Sequence, residues 1–184
     1  MPTSSPVGVR GPLAVLLVSV ALVATSCTQQ DARLPELSEV AETIPGSGEP
    51  APDFSVVTFD GPTFSLSNHL AEDGRPVFLN LWASWCAPCR AEMPDIDEAA
   101  INHPDVAFIG VAVTDVADKS RDFAEEIGVS YPLGFDENDV VDDGYRPFGL
   151  PATYFISPGG VIVERVFGPL TADQIDKKLE DHFG

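Results

Sequence analysis

The feature that most constrains this chain is a pair of cysteines, Cys86 and Cys89, set where an apolar run of strand length ends and a helix-forming stretch begins. Val77 to Trp82 reads Val-Phe-Leu-Asn-Leu-Trp, broken only by Asn80, and predicts a central strand buried on both faces. Trp82-Ala83-Ser84-Trp85-Cys86-Ala87-Pro88-Cys89 follows with no spacer, and a helix is predicted from about Arg90 to Asn102. A thiol at a helix N-terminus meets free backbone N–H groups and the positive end of the helix dipole, and both favour the thiolate. Cys86 is therefore expected to attack. Cys89, one helical turn deeper, is placed to resolve the mixed disulfide that forms. Pro88 suits a first helical turn, where its missing N–H costs no helical hydrogen bond. A disulfide acting here purely as a staple would close so short a loop that it would constrain the unfolded chain little.

The flanking pattern predicts an α/β domain. An alternating stretch from Phe54 to Phe59, a turn at Asp60-Gly61-Pro62 and Thr63 to Leu66 read as a β-hairpin before the central strand. After the redox helix come a second buried strand, Val106 to Val113, a helix from about Asp118 to Ile127 stopped by Gly128, and a short strand near Tyr131 to Gly134. Strand, helix, strand in that order implies a parallel pair joined by a crossover. The acidic segment Asp136 to Tyr145 has some helical character, and Ala152 to Ile156 with Val161 to Phe167 form a second hairpin about Ser157-Pro158-Gly159-Gly160. A closing amphipathic helix runs from the N-cap Thr171 to about His182, with Ile175 and Leu179 on one face.

The N-terminus is different in kind. Arg10 is the sole charge before Asp31, and Leu13 to Ala24 is an apolar run too short to span a bilayer, the pattern of a signal peptide. Val23-Ala24-Thr25-Ser26-Cys27 resembles the lipobox of bacterial lipoproteins, which makes Cys27 the lipidation site, although Ala24-Thr25-Ser26 also fits an ordinary signal-peptidase site. The expected organisation is a signal peptide over 1–26, a lipid-anchored flexible linker over 27–50 and a folded domain over 51–184. Contact with the membrane is expected only through that anchor.

With these elements in place the chain resembles the TlpA/ResA/DsbE-like thioredoxin-fold proteins, bacterial membrane-anchored thiol-disulfide oxidoreductases. The resemblance covers roughly Pro50 to the C-terminus. It rests on Ala51-Pro52-Asp53-Phe54, on Leu79-Asn80-Leu81-Trp82-Ala83-Ser84-Trp85-Cys86-Ala87-Pro88-Cys89-Arg90-Ala91-Glu92-Met93-Pro94, and on Gly149-Leu150-Pro151-Ala152-Thr153-Tyr154-Phe155-Ile156. It implies a thioredoxin fold: a mixed central β-sheet flanked by helices, with an added N-terminal β-hairpin and an insertion between the redox motif and Pro151. It also implies a cis Pro151 facing the cysteines and receiving the substrate backbone, and a carboxylate at the position of Glu92, three residues beyond Cys89. Glu92 is taken as the acid/base that tunes Cys89, because Asn80 stands where ordinary thioredoxins carry a buried Asp and cannot take a proton; the alternative is an exposed carboxylate favoured by the helix dipole. Trp85, Ala87, Pro88 and Leu150 are candidates for the substrate groove, with Trp82 and Trp85 weighed chiefly as packing.

The remaining features bound the function. Ten Lys and Arg against 29 Asp and Glu give a formal charge of -19, which opposes contact with nucleic-acid phosphates. If Cys27 carries lipid, two thiols remain with no second pair, and His69, His103 and His182 are scattered, which argues against a structural zinc site. Asp136 to Gly144 fails the calcium-loop pattern, with Val141 at the sixth position where Gly is needed. No cofactor is expected. Peroxidase chemistry is disfavoured by Ala83, where peroxiredoxins place a Thr, and thiol copper binding by a cysteine spacing of two rather than three. Ala87-Pro88 lacks the His beside Cys89 that strongly oxidising relatives carry. The expected activity is therefore reduction of disulfides in exported proteins, apocytochrome c among them, with electrons from a membrane thiol-disulfide transfer protein. The alternative is oxidation of exported proteins.

Overall fold

A computed structural model describes the backbone of residues 42–45 and all of 48–184. The signal peptide read over 1–26 and the lipidation site Cys27 lie outside the described residues. In chain order the elements are β1 (Glu42–Pro45), β2 (Ser55–Val57), β3 (Thr63–Ser65), α1 (Leu66–Glu72), β4 (Val77–Trp82), α2 (Ala87–Asn102), β5 (Ala107–Ala112), α3 (Ala117–Ile127), β6 (Leu133–Phe135), α4 (Val140–Tyr145), β7 (Ala152–Ile156), β8 (Ile162–Phe167) and α5 (Ala172–Phe183). Six strands form one mixed sheet in the order β1-β8-β7-β4-β5-β6, and β2 pairs with β3 as the expected hairpin. The chain has the thioredoxin fold.

Strand β4 sits in the middle because every one of its residues is buried, and the same holds for β5 and β7. It runs parallel to β5 and antiparallel to β7. Alternation along β4 divides the core: Phe78 and Trp82 face one cluster with Met93 and Ile96 of α2, while Leu79 and Leu81 face the other with Tyr154, Val141 and Tyr145. Asn80 takes the α2 face with Phe78 and Trp82. On that face its cross-strand neighbours are Thr153 on β7 and Gly110 on β5. A Cβ on Gly110 would come within 2.5 Å of Leu133 Cδ2 and 3.2 Å of Trp82 Nε1, so this position is kept bare by the rings that pack over it.

Helix α5 closes the α2 face through Ile175 and Leu179, and the His103 imidazole meets Asp176 at 2.9 Å. Its first turn is held by Gln174, whose side-chain oxygen accepts the backbone N–H of the N-cap Thr171 at 2.9 Å. Between the redox motif and Pro151, where an insertion was read, the chain forms α3, β6 and α4 after β5. Asp136 is buried at the start of α4, where its Oδ2 accepts the N–H groups of Val141 and Asp142, each at 2.9 Å.

Three readings need correction. The stretch 27–50 is not linker throughout: residues 42–45 form an edge strand paired with Glu164–Phe167 of β8, and Ala51 N–H already donates to Gly160 O at 2.8 Å. The outer edge of β8 offers unpaired backbone groups, and Thr43-Ile44 has the β-branched character to use them. Helix α1, with a single buried residue, Leu66, was hidden behind the hairpin pattern. The redox helix begins at Ala87 rather than Arg90, because Pro88 is accommodated in its first turn.

Candidate active site

Cys86 is the N-cap of α2, in extended conformation, and its Sγ accepts the backbone N–H of Cys89 at 3.2 Å. The two sulfurs are joined in a disulfide with Cα atoms 5.3 Å apart. Cys86 keeps 4% of its surface exposed and Cys89 none. The sulfur within reach of another protein is therefore Cys86, and it lies at the N-terminus of α2, where the Cys89 N–H reaches it. Ala87 is exposed and Pro88 half-buried beside it.

The turn leading to Cys86 is pinned to the loop after β5. Asp115 accepts the backbone N–H of Ser84 at 2.5 Å, the Ser84 hydroxyl at 2.9 Å and the Val116 N–H at 2.8 Å. Burial alone would raise the Asp115 carboxyl, but these hydrogen bonds outweigh it and hold the group below its ordinary range. Trp85 donates its indole N–H to the Thr114 carbonyl at 3.3 Å, and Thr114 adopts φ 49°, a left-handed conformation that strains a β-branched residue. Trp82 packs as expected, tilted against Phe123 at 5.1 Å, but Trp85 is 65% exposed. The packing role read for Trp85 is thereby corrected, because its ring leaves the sheet with the turn and lies on the surface next to Cys86.

The Leu150–Pro151 bond is cis. The register Leu81↔Ala152 sets buried Pro151 opposite Trp82, next to the end of β4 from which the cysteines emerge. Gly168 N–H donates to the Pro151 carbonyl at 2.9 Å. Leu150 is half-buried and packs against the cluster that contains Cys86 and Cys89. Phe148 is 87% exposed, its ring 5.2 Å from Phe167. Trp85, Ala87, Pro88 and Leu150 thus share one end of the sheet with both cysteines.

Glu92 is buried, which removes the exposed-carboxylate alternative. Its Oε1 accepts from Asn80 Nδ2 at 2.8 Å and its Oε2 from the Leu170 N–H at 3.0 Å. Burial pushes the carboxyl up to about 8, while those two donors pull it back and nearby Asp95 adds to the rise. A group poised there can hold or release a proton near neutral pH, one turn along α2 from Cys89. Asn80, Thr153 and Leu170 were not singled out as parts of this arrangement. The cross-strand pairing of Asn80 with Thr153 is a matter of register, and Leu170 contributes backbone alone.

A thioredoxin fold with a cysteine pair at the start of a helix and a cis-proline beside it defines a dithiol–disulfide exchange enzyme. The AhpC/TSA family matches residues 47–165. Thiol-disulfide oxidoreductase ResA of Oceanobacillus iheyensis is 34% identical over 137 residues, covering 73% of this chain and 71% of the relative. The structure of MTB dsbF in mixed oxidized and reduced forms superposes with a TM-score of 0.64 at 29% identity, covering 71% of this chain and 96% of that one. The pneumococcal exposed lipoprotein thioredoxin Etrx1 of Streptococcus pneumoniae gives 0.62 at 28% identity, covering 70% of this chain and 98% of its own. The chain belongs to the AhpC/TSA family, among its TlpA/ResA/DsbE-like thiol-disulfide oxidoreductases, and is an enzyme acting on protein thiols and disulfides. Within that family name the peroxidase branch gains nothing here, since Ala83 is fully buried and offers no hydroxyl near Cys86.

Proposed function

We propose that the chain works outside the cytoplasmic membrane as a reductase. The Cys86 thiolate attacks a client disulfide, forming a mixed disulfide and expelling one client sulfur as a thiolate. The Cys89 thiolate then attacks Cys86 Sγ, releasing the second client thiol and leaving the Cys86–Cys89 disulfide. Two electrons and two protons pass from the enzyme to the client, and a membrane thiol-disulfide electron-transfer protein restores the dithiol. Glu92 takes the Cys89 proton as that thiol becomes the attacking group, and the cis-Pro151 turn with Leu150 and Trp85 receives the client backbone. Apocytochrome c is the client proposed, and Cys27 the lipid anchor, with residues 1–26 removed on export.

The observation that carries this reading is the asymmetry of the pair: Cys86 at the helix N-terminus with residual exposure, Cys89 sealed beneath it with a buried acid one turn on. The reductive direction is supported by what surrounds Cys86. Neither His nor a cation stands between the cysteines, and Arg90, next along the helix, is committed to Glu126 at 2.9 Å and to the face of Phe123 at 4.4 Å. Less stabilisation of the thiolate means a more reducing pair.

The test is the reduction potential of Cys86/Cys89 in glutathione buffers. A value well below about -220 mV supports the reductase, and one above about -150 mV makes the protein an oxidant of exported clients. Fatty-acid labelling in the host, lost in Cys27→Ala, tests the anchor.

A further inference from the structure

We infer that Asn80 is a positioning residue whose carboxamide turns over with the proton on Glu92, offering Nδ2 to the carboxylate and Oδ1 to the protonated acid. The inference rests on the proposed role of Glu92 as the acid/base of the pair.

The geometry carries it. Asn80 is fully buried, and its Nδ2 donates both to Glu92 Oε1 at 2.8 Å and to Thr153 Oγ1 at 3.2 Å. This orientation suits an ionised Glu92, which can only accept. A proton on Oε1 would face Nδ2, a donor, with nowhere to go. Rotating the amide by half a turn brings Oδ1 to the place of Nδ2, where it accepts from the Glu92 O–H. The other two partners fit either state. Thr153 has a hydroxyl that accepts from Nδ2 or donates to Oδ1, and the Leu170 N–H continues to donate to Oε2.

What leaves the amide free to turn is that its other end makes no hydrogen bond among the described residues. Among the described residues Asn80 Oδ1 is buried with no hydrogen-bond partner, so no hydrogen bond there locks the present orientation. An unpartnered buried polar atom costs on the order of 1–3 kcal/mol in either orientation, so the proton on Glu92 decides between them. An aspartate at this position could not serve both states, because its own charge would compete with Glu92 for the proton.

Among the described residues the titratable groups facing Glu92 are few. Asp95 lies on the same helix, Tyr131 approaches from the loop before β6, and Cys89 is one turn away. In the oxidised protein Cys86 and Cys89 do not titrate, and burial holds the Tyr131 phenol neutral far above the relevant range. The proton in question therefore belongs to Glu92, with Asp95 as the charged modulator among the described residues.

The experiment is NMR on oxidised, isotope-labelled wild-type protein, following the Glu92 carboxyl carbon and the NOEs from the Asn80 Nδ2 protons to Thr153. The expected result is that those NOEs are present above the Glu92 midpoint and lost below it, with one shared midpoint, while the Leu170 N–H signal stays hydrogen-bonded throughout. NOEs that persist across the titration overturn the inference, as does a Glu92 that never changes protonation. A separate measurement guards the reading beneath it. If the pH profile of thiol alkylation in the reduced protein is unchanged in Glu92→Gln, the acid/base role fails whatever the amide does.

Discussion

The Leu170 backbone N–H donates to Glu92 Oε2 at 3.0 Å, which ties the helix that carries the cysteines to the loop leading into α5. The buried carboxyl at the centre of that tie makes the domain's stability depend on pH. Its folded value of about 8 stands above the ordinary 4.5, so the folded state holds a proton that the unfolded state has given up. Stability from this group is whole below about pH 4.5 and falls as pH rises to about 8, by at most about 1.4 kcal/mol per unit. Urea unfolding at the two ends of that window should show the loss in wild type and a flatter profile in Glu92→Gln. Parallel profiles would mean that Glu92 is ionised in the folded protein throughout.

The unequal exposure of the two cysteines predicts which single variant traps a client. In Cys89→Ser the accessible Cys86 still attacks but nothing resolves it, so mixed disulfides with client proteins accumulate on non-reducing gels. Cys86→Ser leaves a thiol with no exposed surface and should trap little. Equal trapping by both variants would refute the assignment of attacker and resolver.

Legibility in the sequence follows how local the cause of each feature is. Strands β4 and β7 and the start of α5 were read at their observed bounds, because apolar runs each interrupted by a single polar residue, Asn80 or Thr153, and an N-cap Thr are local signals. Glu92 was legible as a candidate through its spacing from Cys89. Its partners were not, because Asn80, Thr153 and Leu170 meet it only through the β4–β7 register and the packing of α2 on α5. Asp115 was equally silent: its hold on Ser84 spans 31 residues and appears only once β4 and β5 lie side by side. Strand β1 was read as tether because Pro45 and Gly46 punctuate a short segment whose pairing partner is more than a hundred residues away.

Gly110 is legible in hindsight and testable directly. A methyl group there would stand 2.5 Å from Leu133 Cδ2 and 3.2 Å from both Trp82 Nε1 and Tyr131 Cε2. Overpacking of this kind costs about 1–3 kcal/mol, so Gly110→Ala should lower the denaturation midpoint while leaving the redox pair intact. A variant as stable as wild type would show that Leu133 and the rings above it can move aside.

Asp115 holds the entry to the redox turn, and two consequences separate a structural tie from a positioning one. Its carboxylate accepts three hydrogen bonds from Ser84 and Val116, and its held-down value means that the stability it adds is present above about pH 3.8 and lost on acidification below that. Asp115→Ala should cost on the order of 1 kcal/mol, since the group is partly solvated. It should also release the strained Thr114 and with it the carbonyl that orients Trp85. Thiol–disulfide exchange with a protein client should then slow by roughly tenfold, within the hundredfold that a 1 Å misplacement can cost. Exchange with a small disulfide such as glutathione needs no groove, so its rate should fall far less. Equal losses for both substrates would place Asp115 in the geometry of Cys86 itself rather than in the presentation of Trp85.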